Sequence, residues 1–220
     1  MPSFIKVCLR GHTMSFGGEM VSPKWRGTND RPTMSFVVGF LCSCMGIPFR
    51  RALSEVKLLR DSLKVHTIIL SRGRREVDFQ TAGTSYNLAD PFEKMCRVIK
   101  PGGGGTSDIY KKELLVDAKF DIILEVENGD LSNRIVEALK SPQWFPFIGR
   151  KSNHLSDMPF GGVYDSLDKA IENQPTPYPK GTVWIQHVST DAEKSEPIKD
   201  YPLCEGDNRN TVRYVRECLI

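Results

Sequence analysis

Three stretches of this chain concentrate residue types that hold a polyanion. The first, Gly11-His-Thr-Met-Ser-Phe-Gly-Gly18, follows a short alternating apolar run. Its glycines let backbone N–H groups come close to a phosphate, and Phe16 can stack a base. Ser15, Phe16 and Gly17 are its candidate contacts, although short Gly-rich loops also serve neutral roles. The second is Pro32-Thr33-Met34-Ser35 at the start of a helical pattern. Unpaired amides and the helix dipole favour an anion there, while Thr33 and Ser35 can equally act as plain caps. The third is Trp144-Phe-Pro-Phe-Ile-Gly-Arg-Lys-Ser-Asn-His154, an aromatic–proline anchor leading into Gly149, two cations, a hydroxyl and an imidazole. Arg150 can clamp a phosphate with two parallel hydrogen bonds, Lys151 adds a point charge, and Ser152 and His154 add polar contacts. The plainer alternative is a solvated Arg–Lys pair. Arg10 at the end of the first strand and Arg31 just before the second stretch join the candidate set. So do Arg72 and Arg74, which with Arg75 either track a nucleic-acid backbone or simply lie exposed at a strand end.

Catalytic patterns are sparse by comparison. The sequence has no GxSxG, no GxxxxGK[ST] and no paired metal carboxylates at helical spacing, and Gly102 to Gly105 lacks the Lys-Ser/Thr of a phosphate loop. A metal-independent ribonuclease needs only His, Lys and Tyr as proton carriers. Lys64 and His66 lie two apart on a predicted strand and so face the same way, a pair equally at home on an ordinary strand edge. Cys8, Cys42, Cys44, Cys96, Cys204 and Cys218 show no CxxC spacing, and the four histidines form neither HExxH nor a finger pattern. Zinc and a disulfide framework are therefore not expected, and no cofactor is implied. Free thiols in a reducing cytoplasm are the expectation.

These loops need a frame. Phe4 to Arg10 alternates as a strand, with Ile5, Val7 and Leu9 on one face and Lys6, Cys8 and Arg10 on the other. Gly11 to Arg31 reads as a long loop. A helix follows from Pro32-Thr33, carrying Gly39, Ser43 and Gly46 as a small-residue stripe that admits a sheet or another backbone. A second helix is predicted over Phe49 to Arg60, then a strand over Val65 to Leu70. Residues 77–113 are polar, contain Pro101-Gly-Gly-Gly-Gly105, and read as a protruding hairpin or inserted segment. Beyond it, Phe120, Ile122, Leu124 and Val126 alternate with Asp121, Ile123, Glu125 and Glu127. Asn128-Gly129-Asp130 then turns into a helix with Leu131, Ile135 and Leu139 on one stripe. A loop from Trp144 to Phe160, a short helix over Ser166 to Asn173, and strands over Val183 to Val188 and Thr211 to Leu219 complete the pattern. A charged, Pro-containing connection joins those last two strands. The order β-α-β-(insertion)-β-α is most of a ferredoxin-like unit. The expected fold class is α+β, a ferredoxin-like domain over 1–145 with an inserted hairpin, followed by a small β-rich C-terminal part over 146–220.

Charge is distributed unevenly. The 220 residues carry a net +3, but residues 1–75 hold 13 Lys/Arg against 4 Asp/Glu, while residues 76–220 hold 17 against 23. Such asymmetry suggests a polyanion-facing part and a remainder facing something else. The longest apolar run, Phe36 to Ile47, falls short of the ~20 residues of a spanning helix, so no membrane partner is expected. No secretory leader is expected either. A ferredoxin-like sheet with a basic first third suggests RNA binding, yet the paired aromatic motifs of the usual RNA-binding sheet are absent. On the outer face of the Phe120 strand, Asp121, Glu125 and Glu127 are expected to repel phosphate. Loops and helix ends must then hold the RNA.

In this order, the three loops resemble the Cas-five subunit of the RAMP superfamily in CRISPR Cascade complexes. The likeness spans most of residues 4–173. The family's Gly-x-x-Gln-Ser/Ala-Trp-Gly loop is matched by Gly11, Ser15, Phe16 and Gly17, with Met14 in place of Gln. Its Pro-Thr/Ser-basic-Ser block and Gly/Leu-rich helix are matched by Pro32, Thr33, Ser35, Gly39, Leu41 and Gly46-Ile47, with Met34 where a cation is usual. Its aromatic-x-Pro-aromatic-Leu-Gly-Arg-Arg/Lys-Ser block is matched by Trp144, Pro146, Phe147, Gly149, Arg150, Lys151 and Ser152, most like the Escherichia-type branch. Phe160-Gly161-Gly162-Val163 occupies the place of the small return strand. The resemblance implies a non-catalytic subunit that grips the crRNA 5′ handle and caps the backbone. Its partners would be the Cascade backbone and large subunits, with target DNA met through the complex. Segment 77–113 would be the thumb-like hairpin. One branch of the family cleaves repeat RNA, but the insertion holds no adjacent Lys-His pair to match it. Endoribonuclease and generic protein-interaction module remain the alternatives.

Overall fold

The computed structural model describes residues 2–18, 20–48, 53–83, 107–173, 184–188, 196–200 and 211–219. The opening alternation forms strand β1 (Ser3–Arg10), with Ile5, Val7 and Leu9 buried in the main core. The stretch expected to be a plain loop contains three short strands, β2 (Thr13–Met14), β3 (Met20–Ser22) and β4 (Trp25–Arg26). They form because β7, introduced below, offers strand partners to β2 and β4 that local sequence cannot reveal. Helix α1 (Met34–Met45) starts at Thr33, whose hydroxyl accepts the Phe36 amide, and ends on Gly46. Helix α2 (Leu53–Asp61) leads into β5 (Leu63–Ser71); residues 49–52 of the expected helix lie outside the described residues.

Strands β6 (Arg74–Gly83) and β7 (Ser107–Val116) pair antiparallel from Arg74↔Val116 to Gly83↔Ser107. Residues 84–106, including the Gly102–Gly105 run, lie outside the described residues. The chain then enters β8 (Lys119–Val126), helix α3 (Gly129–Lys140), edge strand β9 (Phe160–Tyr164) and short helix α4 (Leu167–Glu172). Strands β10 (Trp184–Val188), β11 (Glu196–Asp200) and β12 (Thr211–Leu219) follow. Strand β11 falls in the stretch expected to be only a connection. It is an edge strand of the sheet, where Pro197 withholds no ladder hydrogen bond from a second neighbour.

Two sheets result. The larger runs β11-β12-β10-β5-β8-β1-β9 and is antiparallel throughout. Within it, β5-β8-β1-β9 with α1 and α3 is the ferredoxin-like unit, so the fold class is α+β as expected. The smaller sheet runs β2-β7-β4-β3, with β6 also on β7. The long β5–β8 excursion thus leaves one sheet, forms the β6–β7 hairpin of the other, and returns through Asp117, which adopts φ 57°. One core, containing Leu9, Leu41, Phe120, Leu124, Ile135 and Leu139, lies beneath α1 and α3.

The other face of the larger sheet is not an open acidic surface. Phe4, Ile68, Ile123 and Ala170 form a second cluster, with Leu167 and Ile171 of α4 packed on it. Asp121, expected on an outer face, is fully buried. Its carboxylate lies 2.6 Å from the Arg10 guanidinium and 3.4 Å from the Lys6 ammonium. Lys6 in turn donates to the carbonyls of Ala170 (3.2 Å) and Asn173 (2.8 Å), tying α4 down. A charge removed from water needs such compensation. Near the end of the same ladder, Glu125 accepts from Lys64 at 2.9 Å and lies 3.3 Å from His66 Nε2.

Candidate nucleic-acid interface

The three loops converge on one cleft of about 850 Å³. Ser15, Phe16, Gly17 and Gly18 line it from the first loop. Thr33, Ser35, Phe36, Gly39, Phe40 and Ser43 line it from the second block and the helix it opens. Phe147, Gly149, Arg150 and Lys151 line it from the third, and Arg26 and Gly27 come from β4 and its end.

Direct bonds fix the loops to one another. The Ser15 N–H donates to the Ile148 carbonyl at 3.1 Å. Buried Asn153 donates from its side-chain amide to the same carbonyl (3.0 Å) and to the Ser15 hydroxyl (3.3 Å), while accepting from the Thr13 hydroxyl (3.0 Å). Gly149 sits at φ +89°, and a Cβ there would lie 1.6 Å from the Ser15 carbonyl oxygen, so two backbones meet where no side chain fits. The Thr33 hydroxyl donates to the Phe16 carbonyl at 3.1 Å while capping α1. Arg150 donates to the Glu113 carbonyl at 2.7 Å, tying the third loop to β7. Burial lowers the pKa of its guanidinium, with Asp78 opposing and Arg26 reinforcing. Glu113 itself is pulled upward by burial, but Arg75 and the Thr28 amide outweigh that and hold it below the usual carboxylate range.

Chemically, the cleft has an aromatic interior and a cationic rim. Arg26 and Lys151 are exposed and Arg150 is half-buried. Lys151 has no ion-pair partner among the described residues.

Several expected contacts stand elsewhere. Phe16 is 1% exposed and packs edge-on against Phe36 (5.0 Å) and Phe120 (5.4 Å), so its ring seats the loop in the core instead of stacking a base. Arg10 is committed to Asp121 and to the Phe120 carbonyl (2.7 Å) because that buried carboxylate needs it. Arg31 pairs with Asp30 at 2.9 Å, Arg72 lies 3.5 Å from Asp30, and Arg74 lies 3.1 Å from Glu76; none of them lines the cleft. Ser152 and His154 are exposed beyond it, with His154 edge-on to Phe145. Thr33 is a buried cap at the cleft wall, and Ser15, Gly17, Ser35, Arg150 and Lys151 stand where the loops meet.

Sequence reasoning missed Arg26, Asn153 and the aromatic walls. The small-residue stripe pointed partly to them. Its Ser43–Gly46 end does admit a backbone, since the Trp144 and Gln143 amides donate to the Ser43 and Cys44 carbonyls. Its Gly39 end faces the cleft.

No curated protein matches the sequence significantly. Among solved structures, one described as a CRISPR RNA-guided surveillance complex superposes with a TM-score of 0.72 at 22% identity, covering 98% of this chain and 89% of that one. Another, described as a crystal structure of Cas protein, gives 0.67 at 24% identity, with 98% and 94% covered. Both likenesses are of fold. The sequence itself matches a family model over residues 4–216, nearly the whole chain, and on that match the chain belongs to the CRISPR-associated protein (Cas_Cas5) family.

Proposed function

We propose that the chain is a non-catalytic guide-RNA-binding subunit of a type I CRISPR Cascade complex, gripping the crRNA 5′ handle in this cleft and capping the backbone filament. The observation that carries the reading is the convergence of three separate loops on one cleft rimmed by Arg26, Arg150 and Lys151. Family membership and the surveillance-complex likeness support it. Backbone and large Cascade subunits are its partners, target DNA is met through the complex, and the setting is cytoplasmic with no cofactor. The Gly-Arg-Lys-Ser block favours the Escherichia-type branch. Met14 and Met34 are both buried, so the polar contacts the family makes from those positions are replaced by core packing, and the rim cations take a larger share.

The complex purified from cells should carry a discrete guide with one defined 5′ end. Guide retention unchanged by Arg150→Ala with Lys151→Ala across a salt series would remove the site assignment. Absence of any co-purifying RNA would favour a protein-interaction module. The enzyme alternative draws on Lys64 and His66, which share Glu125; specific cleavage of repeat RNA by the isolated chain in EDTA would replace the non-catalytic reading.

A further inference from the structure

Resting on the guide-binding reading, we propose that Glu113, an acidic residue that does not itself line the cleft, is the positioning residue that aims Arg26 at the guide backbone. Arg26 is exposed at the rim on β4, a strand of only two residues. Its ladder to β7 is the parallel register Trp25↔Lys111 and Arg26↔Lys112. So short a ladder fixes an arginine's direction poorly, and the Glu113 carboxylate grips the chain on both sides of it. On one side it accepts the Thr28 amide at 3.2 Å. On the other, the Trp25 indole N–H is a further donor to it. Arg75 completes the clamp, giving one guanidinium nitrogen to Glu113 at 2.5 Å and to the Thr28 carbonyl at 2.7 Å.

Thr28 anchors the clamp to the rest of the site. It is buried, and its hydroxyl accepts the Phe16 amide at 2.9 Å, so the end of β4 is tied to the first loop. Arg150 is held differently, by the Glu113 main-chain carbonyl at 2.7 Å, a bond that leaves the side chain out of account. Among the described residues the carboxylate makes no bond to Lys151. Its reach is therefore selective for Arg26. The clamp also requires a group that only accepts. All three partners of the carboxylate are donors, and glutamine would turn an NH2 toward one of them. Charge counting predicts the opposite outcome, since removing a negative charge beside a cationic rim should tighten RNA binding.

The test titrates the full chain with a labelled single-stranded RNA bearing the 5′ end of the co-purified guide, across a salt series, with affinity taken per folded molecule. Glu113→Gln and Arg75→Gln change the charge in opposite directions. Both should nonetheless weaken binding by about fivefold or more, the scale of coupling between residues that share partners. Both should make the slope of log affinity against log salt shallower by about 0.7, the share of one phosphate contact. Neither should weaken binding further once Arg26→Ala is present, whereas each should add its full loss to that of Lys151→Ala. A general loosening of the cleft would act equally in the two backgrounds. Arg75→Gln decides the matter if Glu113→Gln fails to fold. Tighter binding by Glu113→Gln, an unchanged slope, or equal losses in the two backgrounds overturns the positioning role while leaving the guide-binding reading in place. No binding by the unaltered chain at any salt overturns both.

Discussion

Replacing Gly149 with alanine asks whether the first and third loops form one rigid unit. The residue sits at φ +89°, and its Cβ would lie 1.6 Å from the Ser15 carbonyl oxygen and 2.7 Å from the Ser15 hydroxyl. Reaching even a 3.0 Å separation requires the loops to part by roughly 1.4 Å. That movement breaks the Ser15–Ile148 bond and loosens those of Asn153. The left-handed backbone costs ~1–2 kcal/mol without glycine, and each lost hydrogen bond adds ~0.5–1.5 kcal/mol. The sum is ~2–4 kcal/mol. Gly17→Ala is the control, since φ is +63° there but nothing lies within 4 Å of the new Cβ; it should cost only the backbone share of ~1–2 kcal/mol. Urea unfolding midpoints of the full chain, at unchanged m-value, measure both. Guide-RNA affinity per folded molecule should also fall in Gly149→Ala. A Gly149→Ala variant no less stable than Gly17→Ala would refute the rigid coupling of the loops.

The remaining expectations concern what holds the frame. Asp121→Ala strands the buried Lys6 and half-buried Arg10, so unfolding free energy should drop by ~3–5 kcal/mol; a loss below about 1 kcal/mol would mean water reaches the cluster. Phe16→Ala should cost ~3–5 kcal/mol in the same assay, whereas a near-neutral result would return the ring to the surface as a stacking platform. Stability should fall as pH drops from 7 toward 5.5. Burial lowers the His66 pKa, against the pull of Glu125, so the unfolded chain takes up a proton near ~6.5 before the folded chain does. Glu125 is raised by burial but lowered more by Lys64 and His66, and its contribution fades only below the ordinary carboxylate range. Melting temperatures across that pH span should be flatter in His66→Gln, and identical slopes would rule His66 out as the cause.

Much of the frame is legible in the sequence because period-2 and period-3.6 patterns are local. The Phe4 and Phe120 strands and the Leu131 helix read directly from their apolar spacing. The short strands β2 and β4 do not, since both pair with β7, about a hundred residues away for β2. The same distance hides Asp121. Its alternation correctly places it opposite Phe120, but nothing local says that α4 will cover that face and that Lys6 will hold it there. At the site, Gly149, Arg150 and Lys151 are readable as residue types suited to phosphate. Asn153 carries no signal, because its value lies in bridging Thr13, Ser15 and Ile148 across the fold. The charge split suggested a polyanion-facing first third, yet the cleft draws cations from both parts, Arg26 from the basic third and Arg150 and Lys151 from the acidic remainder.

The most direct measurement is the salt dependence of guide-RNA binding by the full chain and by its Arg26→Ala/Lys151→Ala variant. Each phosphate contact on a single strand contributes about 0.7 to the slope of log affinity against log salt. The cleft assignment predicts that the slope becomes shallower by about 1.4 in the double variant. A slope equal to that of the unaltered chain would contradict it and send the guide to another surface.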